Sequence, residues 1–266
     1  MATPLLLERA GPVATITLNR PESLNTLDFP LMDALIDAAA DVAADDALRV
    51  VVVRGAGKHF MAGGDLNTFA TELKKPAAQR DADFRRMIGR LHSAIESFHR
   101  MPHPVVGRVQ GAVAGFGLSL MNACDLVVAA DNTYFSSAYR NIALTPDGGG
   151  SWSLPRLVGT RRAMEIMLLA ERFDVQQALA WGLVNRVVPL ADLDAAVDRF
   201  VTSLATGPVL AIRNAKRLVR ESLARSLSEQ LDAEAVSFGA CAATPDFAEG
   251  ITAFLEKRPA RFGRTE

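Results

Sequence analysis

The chain of 266 residues has little cysteine and no recognisable metal-binding pattern. Its two cysteines, Cys124 and Cys241, lack metal-ligand spacing and are too few for a disulfide framework, which favours a reducing compartment. The four histidines form no HExxH pair and have no adjacent cysteine cluster, which argues against a catalytic zinc. We therefore expect two ordinary buried cysteines and no metal site.

An excess of charge of one sign is also missing. The 29 Lys and Arg residues against 30 Asp and Glu residues give a formal net charge of -1. A nucleic-acid-binding protein usually has a basic footprint, so nucleic acid is not the expected partner. No apolar run approaches the length of a membrane span, and the three-leucine run in MATPLLLERAGPV is too short for a signal sequence. We expect a cytoplasmic protein with no membrane partner.

Strand and helix patterns alternate through the first half of the chain. VATITLN (13–19) alternates with β-branched residues and LRVVVVRG (48–55) is a continuous apolar run, so both are predicted strands, the second buried on both faces. A helical pattern between them begins near Asp28 and Pro30. The alternation continues with a helix at 81–101, a strand at 104–111, a short helix at 114–124 and a strand at 125–131. This order implies an α/β layered core.

From about Ser151 onward the patterns are nearly all helical, which predicts a helical cap or association region. The helical segments are 161–173, 174–182, 191–205, 209–223 and 226–242. The segment 209–223 contains four basic residues, Arg213, Lys216, Arg217 and Arg220. We interpret them as a solvated face rather than a binding patch.

Two glycine-containing turns each follow a predicted strand. They are RGAGKHFMAGGDL, after the strand at 48–55, and VQGAVAGFG, after PVVGRV. Small residues let a ligand approach the backbone, and a pair of free N–H groups there would form an oxyanion hole. The alternative is two tight turns with nothing bound, and composition alone favours it.

The segment LTPDGGGSWSLPRLVG places Asp147 between a proline and three glycines. A short polar residue at this point could cap the following helix, or it could act as an acid or base. Gly148, Gly149 and Gly150 permit positive φ and close approach of a substrate, and they would serve equally well as turn formers. From the residues alone the capping role is favoured, and the two roles do not exclude each other.

Several segments in this order resemble the crotonase superfamily, also called the enoyl-CoA hydratase/isomerase family. They are FMAGGDL (60–66), VQGAVAGFGLSLMNACDLVVAAD (109–131), IALTPDGGGSWSLPRLVG (142–159) and AWGLVNRVV (180–188). The resemblance implies an α/β fold with a spiral of repeated ββα units over residues 1–200. It also implies a C-terminal helical region at 201–266 for trimer formation and closure of the CoA pocket.

The same resemblance implies an acyl-CoA thioester substrate, no cofactor other than the coenzyme A that the substrate carries, and a homotrimer or a dimer of trimers. Family members bind the thioester oxygen with two backbone N–H groups, which by position are those of Gly64 and Phe116. The two glutamates of the hydratases fall at Ser119 and Tyr139, neither of which is a carboxylate. Asp147 falls where isomerases of the family have their single acid. The implied reaction is isomerisation of a 3-enoyl-CoA rather than hydration.

Two alternatives stay open. The first is an acyl-CoA hydrolase or a 4-chlorobenzoyl-CoA dehalogenase-like enzyme. In the dehalogenase branch of the family, Asp147 would be a nucleophile, His92 would activate water, and Tyr139 would be the aromatic hydrogen-bonding residue. Both His92 and Tyr139 are also compatible with ordinary packing, His92 at the margin of an apolar helix stripe. Since both hydratase carboxylates are missing, a non-catalytic CoA-binding protein is the other alternative.

The resemblance also suggests where coenzyme A lies. The adenine would lie against Ala62, Asp65 and Leu66, near Leu24. Two further residues, Phe254 and Lys257, would reach the nucleotide from the C-terminal helix, with a neighbouring subunit as a possible source. A lysine suits a phosphate as a compact point charge, although a solvated surface lysine is an equal alternative.

Overall fold

A six-stranded sheet forms the base of the computed structural model, which describes residues 3–263. The strand order is β1-β2-β3-β4-β6-β9, and every neighbouring pair is parallel except β1 and β2. A second sheet has the order β5-β7-β8. The strands are β1 (Leu5–Ala10), β2 (Val13–Leu18), β3 (Val50–Gly55), β4 (Val105–Val109), β5 (Ala112–Ala114), β6 (Leu126–Ala130), β7 (Tyr134–Ser136), β8 (Phe173–Asp174) and β9 (Arg186–Val188).

Helices cover both faces of the larger sheet. They are α1 (Phe29–Ala44), α2 (Leu66–Glu72), α3 (Ala77–Arg100), α4 (Phe116–Ala123), α5 (Gly150–Val158), α6 (Thr160–Leu169), α7 (Val175–Ala180), α8 (Leu193–Ala205), α9 (Val209–Ser222), α10 (Leu227–Ala242) and α11 (Pro245–Leu255). The predicted α/β layered fold is confirmed.

The valine run of β3 is buried on both faces, as its composition predicts. Val51 and Val53 belong to the main core together with α1 and α3. Val50 and Val52 pack on the opposite face against α8. The start predicted for α1 is also confirmed, because the Asp28 side chain accepts a hydrogen bond from the amide of the third helical residue at 2.9 Å.

The chain after Ser151 is less uniformly helical than predicted. α6 ends at Leu169, and Ala170 has φ 53°, so the predicted helix does not continue to Phe173. β8 and β9 follow, and β9 adds a parallel edge strand beside β6. Strands of two and three residues are too short to show a period of two, and β1 is mostly exposed, so all three escaped prediction.

The helix α8 lies on the sheet and ends at Ala205, so the predicted boundary between residues 200 and 201 falls inside it. The two predicted regions, 1–200 and 201–266, include residues 1, 2 and 264–266, which lie outside the described residues. Over residues 3–263 no single helix is long and apolar enough to cross a membrane. Leu190–Ala205 and Val209–Ser222, bent by 107° relative to each other, pass that test only as a pair and only by length and composition.

The prediction that the basic residues of α9 form a solvated face is wrong for three of the four. Lys216 Nζ donates to the backbone oxygen of His103 at 2.7 Å and lies 2.8 Å from a carboxylate oxygen of Asp125. Arg220 donates to the other oxygen of Asp125 at 2.7 Å. Arg213 donates to the backbone oxygens of Asp46 and Leu48, just before β3, and of the four basic residues only Arg217 is exposed. The cations of α9 therefore fasten the helix to the core, because they satisfy oxygens at loop ends.

Replacing Lys216 with methionine should lower the free energy of unfolding by about 2–4 kcal/mol, because the half-buried carboxylate of Asp125 and a carbonyl oxygen lose a charged donor while the apolar stem remains. Arg217→Met on the exposed side of α9 is the matched control and should change the free energy by less than about 0.5 kcal/mol. Urea unfolding followed by far-UV circular dichroism measures both. Equal losses in the two variants would contradict the proposed role of Lys216.

Candidate active site

A cavity of about 430 Å³, here called the main cavity, lies between α1, α2, α3 and the segments around residues 62–69, 115–116 and 138–147. Most of its wall is apolar. Residues that the sequence did not single out supply that wall, among them Phe29, Met32, Phe69, Met87, Ile142 and Leu144. A cavity of this size and polarity suits a small organic ligand with a hydrocarbon part.

The first predicted amide donor, Gly64, lies in the wall of the main cavity. Leu27 forms a parallel bridge there: its N–H donates to Gly63 O at 2.8 Å, and its oxygen accepts from Asp65 N at 2.9 Å. Because these bonds use the residues on either side of Gly64, the Gly64 N–H points away from Leu27. Within residues 3–263 it has no hydrogen-bond acceptor.

The second predicted donor, Phe116, is the first residue of α4, where amides have no partner inside the helix. Gly115, just before it, has φ 53° and ψ -125°, a conformation that suits only glycine. A Cβ atom on Gly115 would lie 3.4 Å from the Cα of Gly63, so the two turns are in contact. The structure therefore brings Gly64 and Phe116 together in the main cavity.

Asp147 does not cap the helix that follows, so the capping interpretation is wrong. α5 begins at Gly150, and Gly149, with φ 72°, is the residue at its N-terminus. Positive φ is found at Gly148 and Gly149 but not at Gly150. The Asp147 carboxylate instead accepts a hydrogen bond of 2.5 Å from the Tyr139 hydroxyl at Oδ1, and both residues line the main cavity.

Burial raises the pKa of the Asp147 carboxyl above its ordinary value, while the Tyr139 hydrogen bond and the nearby His92 act in the opposite direction. Burial, together with the negative charge of Asp147, raises the pKa of Tyr139 as well. Tyr139 therefore stays protonated and remains a donor to Oδ1. The other carboxylate oxygen is the one left for a ligand.

His92 lies on α3 in the wall of the main cavity. Its Nε2 accepts a hydrogen bond of 3.3 Å from the amide of Gly148, the residue after Asp147. Only the tautomer with a proton on Nδ1 can accept at Nε2. The structure thus brings His92, Tyr139 and Asp147 together.

Ser119 is at a position where the resemblance places a hydratase glutamate. It is 3% exposed and contacts the backbone of Asp147. Its hydroxyl donates to the backbone oxygen of Asp147 at 2.8 Å and lies 3.5 Å from the Tyr139 hydroxyl. The sequence gives no signal for this contact, because it joins residues 28 positions apart.

The residues predicted near coenzyme A divide into two groups. Ala62 and Leu66 line the main cavity, and Leu24 is joined to Ala62 by a backbone hydrogen bond of 3.1 Å. The carboxylate of Asp65 instead lies 3.1 Å from Arg20 Nη2 and caps α2, accepting from Asn67 N at 2.9 Å. The Asp65 carboxylate is therefore already bound by Arg20 and by the first turn of α2.

The other two predicted residues, Phe254 and Lys257, lie away from the main cavity in the single chain. Phe254 is 81% exposed on α11, and Lys257 is exposed two residues after that helix ends. Their predicted contact with a nucleotide would require a neighbouring subunit. Of the two cysteines, Cys124 is buried, which raises its pKa to about 12, and Cys241 is half-buried.

Asp147→Asn should stabilise the protein at pH 8 by about 0.5–2 kcal/mol, because it removes a poorly solvated charge and keeps the shape of the side chain. The raised pKa means that ionisation of Asp147 costs stability as pH rises through that pKa, so the gain should shrink toward pH 5. Urea unfolding at several pH values measures it. Asp194→Asn is the control: Arg108 holds that carboxyl's pKa below its ordinary value, so its effect should not vary between pH 5 and 8.

Comparisons with known proteins agree with the geometry. Residues 8–265 match the family model described as enoyl-CoA hydratase/isomerase. A 1,2-epoxyphenylacetyl-CoA isomerase from Escherichia coli K12 is 34% identical over 250 residues, covering 94% of each chain. A crotonyl-CoA hydratase from Syntrophomonas wolfei is 33% identical over 259 residues, covering 97% of each chain.

The fold agrees as well. The crystal structure of an enoyl-CoA hydratase from Polaromonas sp. JS666 superimposes with a TM-score of 0.89 at 35% identity, over 97% of this chain and 99% of that one. The names of these relatives include both isomerases and hydratases. The chain belongs to the enoyl-CoA hydratase/isomerase family, the crotonase superfamily, whose members act on acyl-CoA thioesters.

Proposed function

We propose that the protein is an enoyl-CoA isomerase that converts a 3-enoyl-CoA to the 2-enoyl-CoA, with Asp147 as the proton carrier. The observation that carries this proposal is one half-buried carboxylate of raised pKa in a mainly apolar cavity that also contains two free backbone amides. The other aspartate of the cavity wall, Asp28, is occupied as the cap of α1 and in an ion pair with Arg20. The reaction needs no cofactor beyond the coenzyme A of the substrate.

In the first step, the free carboxylate oxygen of Asp147 takes a proton from C2 of the substrate. The electron pair of the C2–H bond forms a double bond between C1 and C2, and the thioester carbonyl pair moves onto oxygen. The amides of Gly64 and Phe116 donate to that oxygen, and such donors are worth on the order of 10² to 10³ in rate each.

In the second step, the oxygen pair reforms the carbonyl, and the double bond moves to C2 and C3. The electron pair of the C1–C2 double bond forms the new double bond between C2 and C3, and the pair of the original C3–C4 double bond takes the proton back from Asp147 at C4. One carboxylate is therefore enough, provided that it is basic enough to take the proton and acidic enough to return it. The raised pKa of Asp147 brings it closer to neutral pH, which suits both steps.

Hydration would need a second acid or base to handle water. Ser119 and Tyr139, at the positions that the resemblance gives to the hydratase glutamates, are a serine and a tyrosine held by Asp147 itself. Both hydroxyls serve to position the one acid. This arrangement favours proton transfer within the substrate over addition of water.

A second candidate is an acyl-CoA hydrolase or a 4-chlorobenzoyl-CoA dehalogenase-like enzyme. The convergence of His92, Tyr139 and Asp147 favours it. Asp147 would attack an aryl carbon and expel chloride, and water activated by His92 would hydrolyse the ester. Chloride release from 4-chlorobenzoyl-CoA, lost in His92→Gln, would select this chemistry. Binding of CoA esters without any turnover would instead indicate a non-catalytic family member.

For coenzyme A we propose a path along Leu24, Ala62 and Leu66, with Phe254 and Lys257 reaching it from a neighbouring subunit. The helices α10 and α11 expose several large apolar side chains, which a trimer or a dimer of trimers would cover. They include Val236, Phe238, Ile251, Phe254 and Leu255.

Asp147→Asn should lower the isomerisation rate of 3-hexenoyl-CoA by about 10²- to 10⁴-fold, because it removes the only proton carrier in the proposed mechanism. The rise in conjugated-thioester absorbance measures the rate. Asp37→Asn, an exposed aspartate of α1, is the control and should retain wild-type activity. An Asp147→Asn variant with full activity would remove the proposed catalyst.

Tyr139→Phe should move the acid limb of the pH profile of kcat/KM to higher pH. The tyrosine hydroxyl stabilises the ionised form of Asp147, so its loss raises the pKa of the base, and a higher pH is then needed to ionise it. At pH values above the acid limbs of both the wild type and Tyr139→Phe, kcat/KM should fall less in Tyr139→Phe than in Asp147→Asn. An acid limb that stays in place would show that the hydroxyl does not act on Asp147.

A further inference from the structure

A second cavity of about 350 Å³, here called the rear cavity, lies on the side of segment 147–149 opposite the main cavity. Its wall includes Ser119, Asn122, Gly148, Gly149, Trp152 and Arg220. The main and rear cavities lie against successive turns of the same helices. His92 on α3 and Phe116 on α4 face the main cavity, while His99 on α3 and Asn122 on α4 face the rear one.

The wall between the two cavities is one segment thick. A Cβ atom on Gly148 would lie 2.8 Å from the ring of Phe116 and 3.0 Å from the Cβ of Ser119. Asp147 lines the main cavity, and the next residue, Gly148, lines the rear one. The proton carrier therefore stands at the boundary between two chambers.

Polar and charged side chains are among those that line the rear cavity, including Ser119, Asn122 and Arg220. The Asn122 carboxamide is 5% exposed, and neither its oxygen nor its nitrogen has a hydrogen-bond partner within residues 3–263. A cavity of this volume is large enough to hold several water molecules. Charged side chains, including Glu96, Arg100 and Arg220, complete the wall.

Two hydroxyls connect Asp147 with this chamber. The Tyr139 hydroxyl is 2.5 Å from Asp147 Oδ1, and the Ser119 hydroxyl is 3.5 Å from that of Tyr139. Ser119 itself lines the rear cavity. The line thus runs from the acid, through two exchangeable O–H groups, to the chamber, without crossing the space that a substrate would fill.

We propose that the rear cavity is a water chamber through which the proton on Asp147 exchanges with solvent, by way of the Tyr139 and Ser119 hydroxyls, while the substrate occupies the main cavity. This inference rests on the proposed isomerase function. It assigns Tyr139 and Ser119 a role in proton exchange in addition to positioning the acid.

The exchange balances without any net change of charge. Once Asp147 has taken a proton from C2, its neutral carboxyl can rotate about Cβ–Cγ and donate to the Tyr139 oxygen. Tyr139 passes its own proton to Ser119, whose hydroxyl turns from the backbone oxygen of Asp147 and passes its proton to water in the rear cavity. This outward transfer leaves Asp147 ionised and an extra proton on the water. A solvent proton returns along the same line in the reverse direction. Only O–H bonds are broken and formed.

The test measures competition between exchange and return of the proton. Full-length enzyme equilibrated in heavy water converts 3-hexenoyl-CoA bearing protium at C2, and mass spectrometry reads the label at C4 of the product at early conversion. Deuterium at C4 reports exchange, and protium reports direct transfer. The ratio is internal to each turnover, so a variant that only slows proton return would raise it rather than lower it.

Two variants interrupt the route at different points. Ser119→Ala removes a hydroxyl from the line, and Asn122→Leu removes the polar group of the chamber at similar volume, without touching Asp147. Each should lower the deuterium-to-protium ratio by about tenfold, a smaller effect than the ~10²–10⁴ that a direct acid–base group supplies. Ser137→Ala is the matched control, because Ser137 is 2% exposed and also donates to a backbone oxygen, at 2.9 Å. It should leave the ratio unchanged.

The outcomes separate the two proposals. A lower ratio in both test variants but not in the control supports the water chamber. Wild-type product without deuterium, or an unchanged ratio in either test variant, overturns the chamber and leaves the isomerase intact. Absence of isomerisation by folded wild-type enzyme overturns the proposed function, and the exchange route falls with it. Thermal unfolding of each variant confirms that it is folded.

Discussion

The hydrogen bond from Tyr139 to Asp147 holds a carboxylate where its charge is poorly solvated. Burial favours the neutral acid and the hydroxyl favours the anion, so the balance between them sets the readiness of the group to take and release a proton. The bond also occupies Oδ1, which leaves one oxygen for a substrate. The backbone bonds around Asp147 serve this geometry: Ser119 holds its carbonyl, and His92 holds the amide of Gly148.

The proposed oxyanion site depends on a different constraint, the contact between two turns. The bridges from Leu27 to Gly64 and from Met61 to Val113 bring the turns into register. Gly63 and Gly115 then let them touch, because a side chain on either would meet the opposite backbone. Two amides from distant parts of the chain are thereby presented to one cavity.

The sequence predicts those parts of the molecule that local patterns determine. The apolar run of β3, the cap of α1 at Asp28 and the glycine turns at residues 64 and 116 are visible as composition and spacing, and the family motifs identify the fold. The orientation of the Asp147 side chain depends on the hydroxyls of Tyr139 and Ser119, which lie outside its local sequence. Rules that use only neighbouring residues therefore wrongly favour Asp147 as the cap of α5. The burial of the basic residues of α9 is predicted wrongly for a similar reason. A helical pattern shows which face they share, but it does not show the oxygens of His103 and Asp125 that they bind.

The close packing of Ser119 restricts how this protein could evolve toward another reaction. A Cβ on Gly150 would lie 2.8 Å from the Ser119 hydroxyl, and a Cβ on Gly148 would lie 3.0 Å from the Cβ of Ser119. A glutamate at position 119 would therefore push away the backbone that carries Asp147. A glutamate at position 119 and Asp147 in its present position therefore exclude each other sterically. A change from the proposed one-acid mechanism to a two-acid mechanism would have to rebuild the segment 147–150 rather than exchange a single side chain.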